Sequence, residues 1–121
     1  MLCTGVDIIE VSRIDKAVGR WGKRFFNRVY TERELSICKE KPTRLASRFA
    51  GKEAVMKALG TGIRGVGWRE IEIDAEPSGK PFVTLYGNAK KTAEKLGITS
   101  LSISLSDTAE HSVAFVVGEI R

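Results

Sequence analysis

Asp7 and Glu53 are the acids whose surroundings in this chain suit a charge least. Asp7 interrupts the β-branched, apolar run from Val6 to Val11 (VDIIEV), and Glu53 lies in a segment from Thr43 to Leu59 with almost no solvent face. Charges seldom enter such elements without a partner. Two carboxylates brought together in a dry site repel unless one is protonated or a cation stands between them. Magnesium fits such a minimal pair, because it takes oxygen ligands, accepts one or two protein carboxylates and fills its shell with water and substrate phosphates. Plainer readings stand beside this one. Glu53 and Lys57, spaced i to i+4, suit an ordinary helix ion pair, and Asp7 suits a cap for the helix that follows.

Gly60, Thr61 and Gly62 open a stretch, Gly60 to Gly67, with four glycines in eight residues. It lacks the GxxxxGK[ST] pattern of a P-loop and follows a helix C-terminus, whose partial negative charge repels phosphate. Phosphate binding there needs Lys57 and Arg64 to reverse the local potential; a simple helix stop is the other reading. Arg13, Lys16, Arg20, Lys23 and Arg24 fall within roughly a 100° arc of one helix, with Asp15 off it. A solvated face is the usual explanation for such charges, but a single-sign row favours docking on an acidic protein helix. Trp21 and Phe25 lie on the apolar arc, which argues against a base-stacking surface. His111 is the only histidine, and its closeness in sequence to Ser106 and Asp107 does not make a triad. With no obvious nucleophile, the attacking group is expected to belong to a substrate.

The elements that must position these residues follow from periodicity. A buried strand is expected from near Leu2, then one helix from Ser12 through Ile14, Ala17, Val18, Trp21 and Phe25 despite Gly19 and Gly22. Thr31 and Glu34 have capping-box spacing and open a short helix through Cys38. The helix from Thr43 to Leu59 carries Leu45, Phe49, Met56 and Leu59 on one side and Ala46, Ala50, Ala54 and Ala58 on the other, so it should be packed nearly all round. Arg48, Lys52, Glu53 and Lys57 ride on it. Ile71, Ile73 and Ala75 alternate with Glu72, Asp74 and Glu76 as a half-exposed strand, turned by residues 77–80 into Phe82 to Tyr86. A short helix from Asn88 to Leu96 and two closing strands complete an α+β fold with a mostly antiparallel sheet against a long central helix.

Chain length and composition bound the rest. With 121 residues there is one domain and no room for separate cofactor and substrate domains, so a large substrate must meet an edge or a subunit boundary. Apolar residues at 42% and charged residues at 29% exclude a disordered tail. The longest uncharged run, Leu96 to Ser106, has 11 residues, against roughly 20 for a membrane span. Neither a membrane partner nor a signal peptide is expected, and the cytoplasm is the default location. Cys3 and Cys38 read as reduced packing residues. A net charge of +5 calls for acidic partners without naming them.

The opening GVDIIEVSRI from Gly5, the block RFAGKEAVMKALGTGIR from Arg48 to Arg64, and IEI followed by GKP at 79–81 resemble holo-(acyl carrier protein) synthase. The matches run in order over most of the chain, and RFAxKEAxxKAxGTG is long and specific. The resemblance implies transfer of 4'-phosphopantetheine from coenzyme A to a serine of apo acyl carrier protein, with release of adenosine 3',5'-bisphosphate, in support of fatty acid biosynthesis. It implies Mg2+ held by Asp7 and Glu53, and Lys57 in contact with the coenzyme phosphates. Beside it, the expected catalytic roles are Glu53 as base through a bound water, from its expected closeness to the metal, and Lys57 as the charge that offsets the breaking bridge. Coenzyme A would be bound by Arg48, Lys57, Gly60, Thr61, Gly62, Arg64 and Asp107. Arg13 resembles the family's carrier-docking residue, with Arg20 and Arg24 added from the helical row. It also implies a homotrimer with sites between subunits and no nucleic-acid partner. At Asp107, in SISLSD, many relatives have histidine; an ionised aspartate repels phosphate and suits metal-bound water or ribose instead.

Overall fold

The structure is a computed structural model describing residues 1–121. Strand β1 (Leu2–Glu10) turns directly into helix α1 (Val11–Trp21), one residue before the expected cap at Ser12. The physical reason is nonlocal: the Val11 amide donates to the Glu110 carbonyl at 2.8 Å, so the hairpin at the other end of the chain satisfies it.

The first helix is not continuous. Gly22 takes φ 53° and ψ −127°, outside the helical region, and the chain restarts as α2 (Lys23–Val29). A left-handed φ is open to glycine at little cost, so the wheel through Phe25 breaks there. Helix α3 (Glu32–Cys38) follows its expected cap: Thr31 Oγ1 accepts from the Glu34 amide and Glu34 accepts from the Thr31 amide at 2.9 Å. Pro42 is the first residue of α4 (Pro42–Leu59), where its missing N–H would have had no partner anyway.

Helix α4 is the centre of the molecule, with twelve of its eighteen residues buried. It lies across a three-stranded antiparallel sheet of order β1, β5 (His111–Ile120), β4 (Ile98–Asp107). The strands alternate as the pleat requires. Gly5, Asp7 and Ile9 of β1 and Ala114 and Val116 of β5 face the helix, with Asp7 opposite Ala114. Gly5 is a close-approach glycine, since a Cβ there would stand 1.9 Å from the Ala54 carbonyl oxygen. After the glycine stretch and a 3-10 turn at Trp68–Glu70, β2 (Ile71–Ala75) and β3 (Pro81–Leu85) form a separate hairpin, and α5 (Gly87–Leu96) leads into β4. Strand β2 departs from the expected half-exposed pattern, because Glu72 is buried beside Ile71 and Ile73. Its carboxylate accepts from Thr31 Oγ1 at 2.7 Å and from the Tyr86 hydroxyl at 2.9 Å, which makes burial tolerable.

Candidate active site

Asp7 and Glu53 converge. β1 turns Gly5, Asp7 and Ile9 toward α4, which brings the Asp7 carboxylate within hydrogen-bonding reach of the Glu53 carboxyl. Burial first, then the Asp7 charge and this hydrogen bond, hold the Glu53 carboxyl above its ordinary range, while Lys57 and Arg13 pull it down. Lys57 reaches the same place. Its ammonium donates to Asp7 Oδ1 at 3.0 Å and to the Val6 carbonyl at 2.9 Å, with its side chain 55% exposed and that of Asp7 14%. Lys57 therefore pairs across to the strand, and the plainer expectation of a Glu53–Lys57 helix ion pair gives way to this bridge.

Helix α4 is capped by Gly60 in the left-handed region at φ 74°, and the Gly60 amide donates to the Lys57 and Met56 carbonyls. The chain then folds back beside the acids, and a hollow of about 60 Å³ is lined by Glu53, Met56, Lys57, Gly62 and Ile63. Thr61 spends its hydroxyl locally, on the Gly62 carbonyl at 2.9 Å, and Arg64 is exposed. Two carboxylates, no further His, Cys, Asp or Glu group, a lysine and an open loop make a donor set suited to a hard cation that keeps water and phosphate oxygens in its shell.

The remaining expected residues lie elsewhere in the protomer. Arg48 is buried on the far side of α4 from Lys57, its Nε without a partner and its Nη1 3.4 Å from Ser47 Oγ. It shares that side with Lys52, whose buried ammonium meets Glu34 at 2.7 Å. Asp107 is exposed at the end of β4, two strands from Asp7. Arg13, Arg20 and Arg24 are exposed; Arg13 is close enough to Glu53 to act on it, and Arg20 stacks over the Trp21 ring at 5.0 Å.

A second feature was missed by sequence reasoning. A cleft of about 580 Å³ is lined by Trp21, Arg24, Phe25, Arg28, Phe49 and Trp68. Its floor is an aromatic stack, Phe25 to Phe49 at 6.3 Å and Phe49 to Trp68 at 4.7 Å. The break at Gly22 swings Phe25 toward α4, and Trp68 arrives from beyond the glycine stretch, so no periodic signal links them.

The fold has counterparts among known proteins. The family model described as the 4'-phosphopantetheinyl transferase superfamily matches residues 3–116. A holo-[acyl-carrier-protein] synthase of Herpetosiphon aurantiacus is 49% identical over 125 residues, 98% of each chain. One from Dehalococcoides mccartyi is 50% identical over 119 residues, covering 98% of this chain and 99% of its own. The crystal structure of Helicobacter pylori holo-[acyl-carrier-protein] synthase in complex with coenzyme A superposes with a TM-score of 0.88 at 36% identity, over 96% of this chain and 99% of that one. The chain belongs to the 4'-phosphopantetheinyl transferase superfamily.

Proposed function

We propose that this protein transfers 4'-phosphopantetheine from coenzyme A to a serine of apo acyl carrier protein, as its relatives' name describes, and releases adenosine 3',5'-bisphosphate. One observation carries the reading: Asp7, Glu53 and Lys57 meet at the foot of the glycine loop. The carrier serine oxygen attacks the β-phosphorus, and the bond from that phosphorus to the bridging oxygen breaks. Lys57 offsets the charge that grows on the departing nucleotide. Glu53 accepts the serine proton through a water. Asp7 and Glu53 would hold a divalent cation such as Mg2+, which when bound would supply Lewis-acid stabilisation of the diphosphate oxygens. Gly60, Thr61, Gly62 and Arg64 form the nucleotide side of the site.

The carrier docks on α1 and α2. Arg13, Arg20 and Arg24 attract its acidic helix, and the aromatic cleft between Arg24 and Arg28 takes an apolar side chain from the same helix. A homotrimer is supported by the face of the sheet turned away from α4. Val6 and Ile8 are 53% and 62% exposed and stand opposite Phe115 and Val113 in register, an uncovered apolar patch of the kind that marks an interface. In such an assembly Arg48 and Asp107 serve a coenzyme bound at another protomer's acid pair. No helix is long and apolar enough to cross a membrane, and we place the reaction in the cytoplasm, in support of fatty acid biosynthesis.

The test is to incubate the protein with coenzyme A, Mg2+ and an apo carrier and to weigh the carrier. A gain of one phosphopantetheine group per carrier is expected. Tight carrier binding at unchanged mass would show a noncatalytic adaptor and overturn the reading.

A further inference from the structure

The glycine loop carries an apolar side chain that the core does not use. Ile63 is 67% exposed, the most exposed large apolar side chain after Met1 at the chain terminus. Single exposed apolar residues are common and need no explanation. This one differs in its place, since it lines the small hollow together with Glu53, Met56, Lys57 and Gly62. The loop around it is open, with nothing within 4 Å of where a Cβ would stand on Gly60, Gly62 or Gly65.

A hollow with one carboxylate and one ammonium on its lining and hydrocarbon beside them suits a ligand whose apolar group is joined to its phosphate through a short linker. 4'-Phosphopantetheine has that order. The carbon on its phosphate ester oxygen is bonded to a quaternary carbon carrying two methyl groups, whereas adenosine 3',5'-bisphosphate ends at the phosphate. We infer that Ile63 is a specificity-determining residue of the loop, packing on the two methyl groups of the pantetheine arm when the diphosphate lies against Lys57. The inference rests on the transferase reading above and goes beyond it in assigning one side chain of the loop, Ile63, to the arm of the coenzyme, beside loop neighbours that face its nucleotide.

The contact makes affinity for coenzyme A and for adenosine 3',5'-bisphosphate separable. Calorimetric titration of both ligands, with Mg2+, into the wild type, Ile63→Val and Ile63→Ala tests it. Coenzyme A should bind about threefold more weakly to Ile63→Val and about tenfold or more to Ile63→Ala, in step with the carbons removed from contact. Adenosine 3',5'-bisphosphate should bind all three within about twofold. Because Ile63 is outside the core, both variants should unfold at the wild-type midpoint. Equal weakening of both ligands would put Ile63 on the nucleotide, and unchanged coenzyme A affinity would remove it from the site; either result overturns the inference. Failure of the transferase reading is seen separately, in a wild type that binds coenzyme A without modifying the carrier.

Discussion

Helix α4 holds two lysine–carboxylate pairs, and they are opposites in how much of their bonding capacity is used. On one side Lys52 and Glu34 are both fully buried and 2.7 Å apart. Lys52 also donates to the Trp68 and Ile71 carbonyls, and Glu34 accepts from the Thr31 and Ile73 amides. Burial lowers the Lys52 pKa, and the Glu34 charge works against that shift. Roughly 140° round the helix, Lys57 is half exposed, and it meets Asp7 beside the Glu53 carboxyl. Where the chain saturates its own charges it fastens elements together, here α3, β2 and the exit of the glycine loop onto α4. Where it leaves them underused, it keeps capacity for a ligand.

The contrast breaks first at the buried pair. Lys52→Ala strands the Glu34 charge and should cost about 3–5 kcal/mol of stability, read as a lower midpoint in urea, with or without coenzyme A. A loss under about 1 kcal/mol would mean that water reaches Glu34 and that the two pairs are less different than described. At the open pair the outcome reverses. Asp7→Asn should lower the rate of carrier modification about a hundredfold or more and leave the unfolding midpoint unchanged or raised, because it removes a charge that Glu53 opposes. Equal losses of rate and stability would place Asp7 among the structural residues.

The pH dependence sharpens the same point. A carboxyl whose folded pKa is raised adds stability below its unfolded value, and that stability is lost as the pH rises through the folded one. For Glu53 the window opens near the ordinary value of 4.5 and extends upward. Thermal midpoints of the wild type and Glu53→Gln should therefore agree near pH 4 and diverge toward pH 7, the wild type being the less stable. Mg2+ should narrow the gap at pH 7 by binding the wild type alone. The smallest effect belongs to the rim of the buried network. Tyr86→Phe removes one of the two hydroxyls that Glu72 accepts from and should cost about 1 kcal/mol.

Much of this was legible from periodicity. The strand around Asp7, the all-round burial of α4, the capping box at Thr31 and the hairpin at residues 77–80 each leave a local signature, and the structure has them in place. Strand β1 is nevertheless not the buried strand expected: it is covered on one face only, and Val6 and Ile8 on the other face are exposed. Nonlocal choices were not legible. Glu34 reads as a helix cap, and nothing near it announces that its carboxylate also meets Lys52 and the Ile73 amide. Gly22 could have been absorbed within a helix, as Gly19 is; the difference lies in a backbone rotation that lets α2 fold onto Phe49. Glu72 keeps the strand's alternation in sequence, yet α3 covers it and supplies a hydroxyl. The four charges of α4 stand out in the sequence, but they divide between two sides of the helix according to partners that lie far away along the chain.

The gauge of the reactive pair is set by an atom that position 5 does not possess. With only hydrogen there, β1 seats directly on the Ala54 peptide, and Asp7 rides the same strand face two residues on. Any larger side chain at that seat acts as a shim, prising the strand from the helix and widening the span a shared ion would have to bridge. A residue with no functional group of its own thereby calibrates the chemistry of its neighbours.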